Sequence, residues 1–166
     1  MSNDDDGRRS DARLLERARS GDAAAFVGFA TRWWAPVSRI SWNMLGNVSD
    51  AGAVTEEVLL TGLRAPKAAR GRLEISLYRL AIRLCIARRR SGHRASGRPT
   101  QLHQALDQLD DLDRAALVLC DGEGLAAQEA GLVLEASPEE TRARVHLARA
   151  LLTGILAGDS SLRAAG

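Results

Sequence analysis

The chain has 166 residues, of which 45% are hydrophobic and 27% charged, and its formal net charge is only +2. This length allows one domain or two small ones with a buried core, and the hydrophobic fraction is typical of a globular chain. The polar start of the chain is not a signal peptide and no apolar run is long enough to span a membrane, so we expect a cytoplasmic protein.

Charge is distributed very unevenly along the sequence. Residues 64–98 contain eleven basic side chains and one acidic one, a net charge of about +10. Residues 100–141 contain ten acidic side chains and one basic one. The basic segment includes a half-apolar helix with arginines on its other faces, which indicates a surface for nucleic acid held on a helical core. A merely solvated helix face is the alternative, and the concentration of charge favours nucleic-acid contact.

The first part of the chain predicts two helices after a disordered start. Residues 1–10 are polar and charged and are expected to be disordered. A short helix should cover residues 12–20. A long helix then begins after Asp22 and ends at Gly46, with a kink at Pro36. Its inward stripe at helical spacing consists of Phe26, Phe29, Trp33, Val37, Ile40 and Met44.

Two further helices complete the first half. Ser49 and Asp50 predict the cap of a third helix over residues 51–64. The basic helix follows over residues 71–90. Its expected inward stripe consists of Leu73, Leu77, Leu80, Leu84 and Ala87.

The second half is acidic and also helical. Residues 91–99 are rich in Gly, Ser, Arg and Pro and predict a linker between two domains. Three short helices are expected over residues 102–109, 113–121 and 125–134, and Ser137-Pro138 predicts the start of a longer one. A short helix, a turn and a longer capped helix have the proportions of a helix-turn-helix. The fold class is therefore all-α, with a frayed tail after residue 157.

No pattern of catalytic or metal-binding residues stands out. Cys85 and Cys120 are isolated and are expected to be reduced core residues. His93, His103 and His146 are too scattered for a metal site. We find no nucleophile with its base and no phosphate-binding loop, so we expect no metal, no cofactor and no enzymatic activity.

Several segments, taken in order, resemble the extracytoplasmic-function (group 4) sigma-70 factors. In the first half these are Asp22-Ala-Ala-Ala-Phe26, Thr55-Glu56-Glu57-Val58 and Leu77-Tyr78-Arg79-Leu80-Ala81. In the second half Arg142-x-Arg144-Val145-His146-x-Ala148-Arg149 resembles the end of the family's recognition helix. The resemblance covers about residues 11–157 and depends on the order and spacing of these segments together.

The resemblance implies two helical domains, residues 11–90 and 101–157, joined by a linker at 91–100 and followed by a tail at 158–166. The first domain would bind the β′ clamp of core RNA polymerase and open the −10 promoter element. The second would read the −35 element and rest on the β flap, while the polymerase supplies the chemistry. An anti-sigma factor is a further possible partner.

The same resemblance and the charge map name the candidate site residues. Polymerase contacts are predicted for Thr55, Glu56, Glu57 and Val58. DNA contacts are predicted for Arg79, Arg83, Arg88, Arg89, Arg90, Arg142, Arg144, His146 and Arg149.

The chain departs from the family at promoter-reading positions. Ser76 replaces a tryptophan, Arg83 replaces an asparagine, and Glu135 replaces the turn glycine. Glu139 and Glu140 stand early in the recognition helix, where they would repel phosphate. Two alternatives therefore stay open: an interaction module that binds polymerase or an anti-sigma factor without reading promoters alone, and a promoter factor that needs an auxiliary DNA-targeting partner.

Overall fold

The computed structural model describes residues 3–64, 72–91 and 100–163, and every regular element in these ranges is helical. None of these helices is long and apolar enough to cross a membrane. A π-helical turn, Val118–Gly122, directly extends the sixth helix. We call α1–α4 the first bundle and α5–α8 the second bundle. The helices are α1 Asn3–Arg19, α2 Ala23–Leu45, α3 Val48–Arg64, α4 Leu73–Arg90, α5 Gln101–Leu106, α6 Asp111–Leu117, α7 Ala127–Leu134 and α8 Pro138–Arg163.

The central helix of the first bundle, α2, has the ends that the sequence predicts. The Asp22 carboxylate accepts a hydrogen bond from the Ala25 N–H at 3.0 Å. Gly46 ends the helix at a φ of 71°, a left-handed conformation that glycine adopts without a steric penalty. The helix continues through Pro36 as one element. The predicted stripe is confirmed except for Phe26, which is half-buried; the buried members are Phe29, Trp33, Val37, Ile40 and Met44.

Three helix ends differ from the sequence-based expectation. The first helix begins at Asn3, so residues 3–10 are helical rather than disordered. An aspartate-rich start suits a helix because the N-terminal end of its dipole is positive. The last helix continues to Arg163, well past the predicted fraying point. Asn47, and not Ser49 or Asp50, caps α3, since its side-chain oxygen accepts from the Ser49 N–H at 2.9 Å.

The buried side of α4 is rotated relative to the predicted stripe. Leu77 is buried as expected, but Leu73, Leu80 and Leu84 are half-buried and Ala87 is exposed. The reason is that α4 packs against α2 and α3 on one side and against α7 on another, so two apolar stripes are covered. The spacing of apolar residues in the sequence does not tell which of two adjacent stripes on a helix is buried more deeply. The other buried residues of α4 are Ile75, Tyr78, Ala81, Ile82 and Cys85.

The two bundles share one apolar core. Phe29 and Tyr78 of the first bundle belong to the same cluster as Leu119, Ala130 and Val133 of the second. A smaller cluster holds the second bundle together on its far side and consists of Leu106, Leu109, Ala116, Leu117, Val145 and Ala148. Most of the predicted linker, residues 92–99, lies outside the described residues. The boundaries of the two domains, residues 11–90 and 101–157, therefore remain a prediction from the sequence.

A tight turn joins α7 to α8 in the predicted helix-turn-helix. A Cβ on Gly131 would lie 2.7 Å from the Ala136 main-chain oxygen, so only glycine fits this approach. Glu135 ends α7 at a φ of 59° and is the one non-glycine residue with positive φ in the described ranges. The Ser137 hydroxyl caps α8 by accepting from the Glu140 N–H at 3.1 Å.

Candidate nucleic-acid interface

The arginines in the middle of α4 contact the end of α7. Arg79 donates from Nη2 to the Leu132 main-chain oxygen and from Nε to the Val133 main-chain oxygen, the latter at 3.4 Å. Arg83 donates from Nη2 to the Glu135 carboxylate at 2.8 Å. The side chain of Arg83 remains 64% exposed, so this pair lies at the rim of the contact.

The arginines at the end of α4 contact the acidic segment around the start of α6. Arg89 binds Asp107 at 2.7 Å and Asp111 at 2.9 Å. Arg90 binds the second oxygen of Asp111 at 3.1 Å. Four of the five α4 arginines predicted to contact DNA are therefore bonded to the second bundle. The fifth, Arg88, lies 3.4 Å from Asp50 of its own bundle.

Two more ion pairs extend the same contact beyond α4. Arg39 of α2 makes a two-bond contact with Glu123, at 2.7 and 3.2 Å, and this carboxylate is only 3% exposed. Arg72 donates to Glu129 at 2.6 Å. Within the described ranges, five of the ten acidic side chains of residues 100–141 thus bind arginines of the first half of the chain.

A buried arginine of the second bundle caps α2. Arg114 is fully buried and donates from Nε and Nη2 to the Asn43 main-chain oxygen, at 3.1 and 2.8 Å. Its Nη1 donates to Asp107 at 2.5 Å. Because the last carbonyls of a helix lack partners within the helix and carry negative partial charge, a guanidinium stabilises this end of α2.

His103 lies beside this contact. Its Nε2 is 3.2 Å from the Trp42 main-chain oxygen, and its ring packs edge-on against the Trp42 indole at a centroid distance of 4.7 Å. Since a carbonyl oxygen can only accept, Nε2 carries the proton and Nδ1 can accept from the Thr100 hydroxyl at 2.7 Å. Burial, and after it the nearby charge of Arg114, lowers the pKa of His103 and favours the neutral ring.

The charges around Asp107 stabilise one another. Burial by itself would raise the pKa of this carboxyl, but hydrogen bonds from Arg89 and Arg114 outweigh it and lower the pKa. Burial lowers the pKa of Arg114, and the neighbouring charge of Arg89 acts in the same direction. The cluster therefore holds two cations together only because Asp107 and Asp111 balance them.

Three arginines of α8, Arg142, Arg144 and Arg149, pair within their own bundle. His146 is exposed on this helix. The pairs are Arg142–Glu139 at 2.7 Å, Arg144–Asp113 at 3.0 Å, Arg144–Glu140 at 3.0 Å and Arg149–Asp121 at 2.5 Å. Acidic neighbours thus reduce the positive potential of the predicted recognition helix, and its DNA contacts stay a prediction.

The candidate polymerase-binding segment on α3 is only half accessible. Thr55 and Val58 are fully buried, and the Thr55 hydroxyl donates to the Ala51 main-chain oxygen at 2.6 Å. Glu56 and Glu57 are exposed. Four consecutive helical residues span more than one turn, so they cannot all face a partner. Of the four residues, only Glu56 and Glu57 are therefore accessible to a partner, while Thr55 and Val58 are core residues, and the polymerase contact stays a prediction.

The two cysteines and the metal-binding side chains form no site in the described residues. Cys85 is buried, which raises the pKa of its thiol to about 12, and Cys120 is half-buried; both are free thiols. No group of three or more metal-binding side chains lies together in the part of the chain that the structure describes.

The sequence analysis did not predict that the second-bundle carboxylates pair with the α4 arginines. The opposite net charges of the two segments were the available signal.

Comparison with known proteins gives matches in sequence and in fold. Residues 100–152 match the family model described as sigma-70, region 4. The chain is 30% identical to the ECF RNA polymerase sigma factor SigE of Mycolicibacterium smegmatis. This match covers 75% of the chain and 59% of that relative, so the chain spans about three-fifths of the relative's length.

Two solved structures have a similar fold. One is CnrH in complex with the cytosolic domain of CnrY, with a TM-score of 0.73 and 21% identity over 90% of this chain and 99% of that one. The other is the sigma factor RpoE in complex with the anti-sigma factor NepR from Bartonella quintana. Its TM-score is 0.65, with 14% identity over 79% of this chain and 96% of that one. At these identities the likeness establishes the fold, which consists of two helical units.

Proposed function

We infer that this chain is an extracytoplasmic-function sigma-70 factor that directs transcription initiation by binding core RNA polymerase and promoter DNA. The observation that carries the proposal is the row of arginines on α4, held on a helix that is buried on its other sides. The chain would have no chemistry of its own, since the polymerase joins the nucleotides.

The proposed role of the α4 arginines is to hold the phosphates of an opened promoter strand. A guanidinium offers a planar fork of donors that fits a phosphate as well as it fits a carboxylate. Arg83 and Arg90 have the most accessible side chains of this set, 64% and 71% exposed. Binding of this kind releases counterions, so the affinity should fall steeply with salt concentration.

The proposed polymerase contact is made by Glu56 and Glu57. Both are exposed near the middle of α3, a helix whose opposite side is anchored in the core by Val54 and Val58. A rigid helix that presents two adjacent carboxylates suits a basic docking surface. The family resemblance suggests that this surface is the β′ clamp of core RNA polymerase.

Reconstitution with core RNA polymerase tests this proposal. The chain should co-elute with core enzyme, and the mixture should start transcripts at discrete sites on fragmented genomic DNA. Co-elution without discrete start sites would contradict the promoter role and leave a polymerase-binding module. Failure to co-elute would contradict the proposal as a whole.

A second candidate function is an interaction module that does not read promoters alone. The observation that favours it is the pairing of Arg142, Arg144 and Arg149 with carboxylates of their own bundle. Glu139 and Glu140 in the first turn of α8 add negative charge where a recognition helix would meet phosphate. If the chain co-elutes with core enzyme but the mixture starts no transcripts at discrete sites, this second function is the correct one.

A further inference from the structure

We propose that an exposed stripe on the C-terminal half of α8 is a contact between two copies of this chain, whose α8 helices pair antiparallel about a two-fold axis. The stripe, which we call the α8 stripe, consists of Leu147, Leu151, Gly154 and Gly158. Their spacing of four, three and four residues places them on one side of the helix. The proposal goes beyond the proposed function and does not depend on it, because it concerns self-association.

The first argument is that the α8 stripe presents large apolar side chains to solvent without charges between them. Leu147 is 49% exposed, and Leu151, one turn further along the same side, is 45% exposed. Residues 150–158 contain no charged side chain. A surface of this kind favours association with another apolar surface, because the contact removes its area from water.

The second argument is that this end of α8 receives little support within one copy of the chain. Leu152 packs on the smaller cluster of the second bundle, but no residue from Thr153 to Gly158 is buried. Glycine inside a helix is unfavourable relative to alanine, and both Gly154 and Gly158 lie in this segment. Since a helix is stabilised chiefly by packing of its apolar side, the segment gains stability from a second copy.

The third argument is that the α8 stripe is complementary to itself. A Cβ on either glycine would meet nothing within 4 Å, so both positions leave open space beside the helix. In an antiparallel pair centred midway between positions 151 and 154, Leu147 of one copy faces Gly158 of the other, and Leu151 faces Gly154. Each large side chain then fills the space beside a glycine. A parallel pair would place leucine against leucine and glycine against glycine, which leaves gaps.

The size of the α8 stripe predicts a weak dimer. From its first to its last residue the helix rises by about 17 Å. A contact of this length is smaller than the roughly 800 Å² per partner of a standard protein interface. We therefore expect a dissociation constant on the order of 10 to 100 μM. Because the same surface is used by both copies, the contact closes on two chains and does not build longer assemblies.

Sedimentation velocity of the full chain, over a range of about 5 to 500 μM, tests the proposal. The first variant carries Leu147→Gln and Leu151→Gln. The matched control carries Leu102→Gln and Leu132→Gln, at two leucines outside the α8 stripe that are 46% and 49% exposed. A third variant, Gly154→Leu, adds apolar area where a single chain has open space for it. Circular dichroism checks that each variant is as helical as wild type.

Wild type should change from monomer to dimer as its concentration rises. The first variant should weaken this association by at least about tenfold, and the control by less than about twofold. Gly154→Leu should weaken it by about fivefold, because the added side chain occupies the space that Leu151 of the other copy fills. This last variant separates a complementary contact from unspecific apolar association, which an added leucine would make tighter.

Three results would overturn the proposal. One is a wild type that stays monomeric over the whole range. If the first variant then loses co-elution with core RNA polymerase, the α8 stripe contacts the polymerase instead. Another is equal weakening by the first variant and the control, because the association would then not use the α8 stripe. The third is tighter association of Gly154→Leu, which would exclude the antiparallel pairing of leucine with glycine.

Discussion

The guanidinium of Arg114 on α6 donates two hydrogen bonds to the main-chain oxygen of Asn43, at the far end of the chain's central helix α2, over 2.8 and 3.1 Å. A reciprocal contact runs from Arg79 on α4 to the main-chain oxygens at the end of α7. Each bundle thus caps a helix of the other. The closed arrangement consequently depends on specific polar contacts as well as on the shared apolar core.

Replacing Arg114 by methionine should lower the free energy of unfolding by about 3 kcal/mol, because the Asn43 oxygen loses its donor and Asp107 loses a buried cation. Urea unfolding followed by circular dichroism measures the change. Arg142→Met is the matched control, since that arginine is exposed and pairs with Glu139 at the surface, and it should change stability by less than about 0.5 kcal/mol. Equal effects of the two substitutions would contradict the capping role of Arg114.

The buried histidine predicts a loss of stability in mildly acidic solution. The pKa of His103 is lowered in the folded chain, so the unfolded chain binds more protons as the pH falls below about 6.5. The stability that neutral His103 contributes is present above that pH and is lost as the pH falls through it. His103→Gln should flatten this part of the pH profile of urea unfolding, whereas His146→Gln, at an exposed position, should leave it as in wild type.

How far the sequence predicts the structure differs between elements. The ends of α2 and the start of α8 follow from local residues, Asp22, Gly46 and Ser137, because caps act within one helical turn. The buried side of α4 does not follow locally, since it depends on which helices cover it.

The contact between bundles was predictable only in outline. A basic and an acidic segment attract one another, but the sequence does not state whether the arginines meet phosphates or carboxylates. Arg114 gives no local sign that it is buried, and its place follows from the packing of α6 on the end of α2. The unfavourable conformation of Glu135 could be anticipated, because the family resemblance expects glycine there, whereas its two arginine partners could not.

Substitutions of Glu135 separate its backbone strain from its charge. Glu135→Gln removes the charge and keeps a side chain in the left-handed conformation, whereas Glu135→Gly removes both the pair and the strain. The glycine variant should therefore be more stable than the glutamine variant by about 1 kcal/mol. Thermal or urea unfolding of the two variants measures this difference. A less stable glycine variant would show that the conformation at this turn carries no such penalty.

The two most accessible α4 arginines should each contribute to the salt dependence of DNA binding. Arg83→Gln with Arg90→Gln should lower the slope of log affinity against log salt concentration by about 1.4 for a single strand. The control, Arg142→Gln with Arg149→Gln, removes the same charge from α8, where carboxylates of the same bundle already pair with both arginines. It should change the slope by less than half as much. An unchanged slope in the α4 variant would exclude these arginines from phosphate contact.

The most direct test of the central claim is transcription by core RNA polymerase on fragmented genomic DNA, with and without this chain, read as the positions of transcript 5′ ends. Wild type should produce discrete start sites that core enzyme alone does not. Glu56→Lys with Glu57→Lys should abolish them, whereas the control Glu16→Lys on α1 should not. If wild type adds no start sites beyond those of core enzyme alone, the chain does not direct promoter recognition by itself, and the proposed function is contradicted.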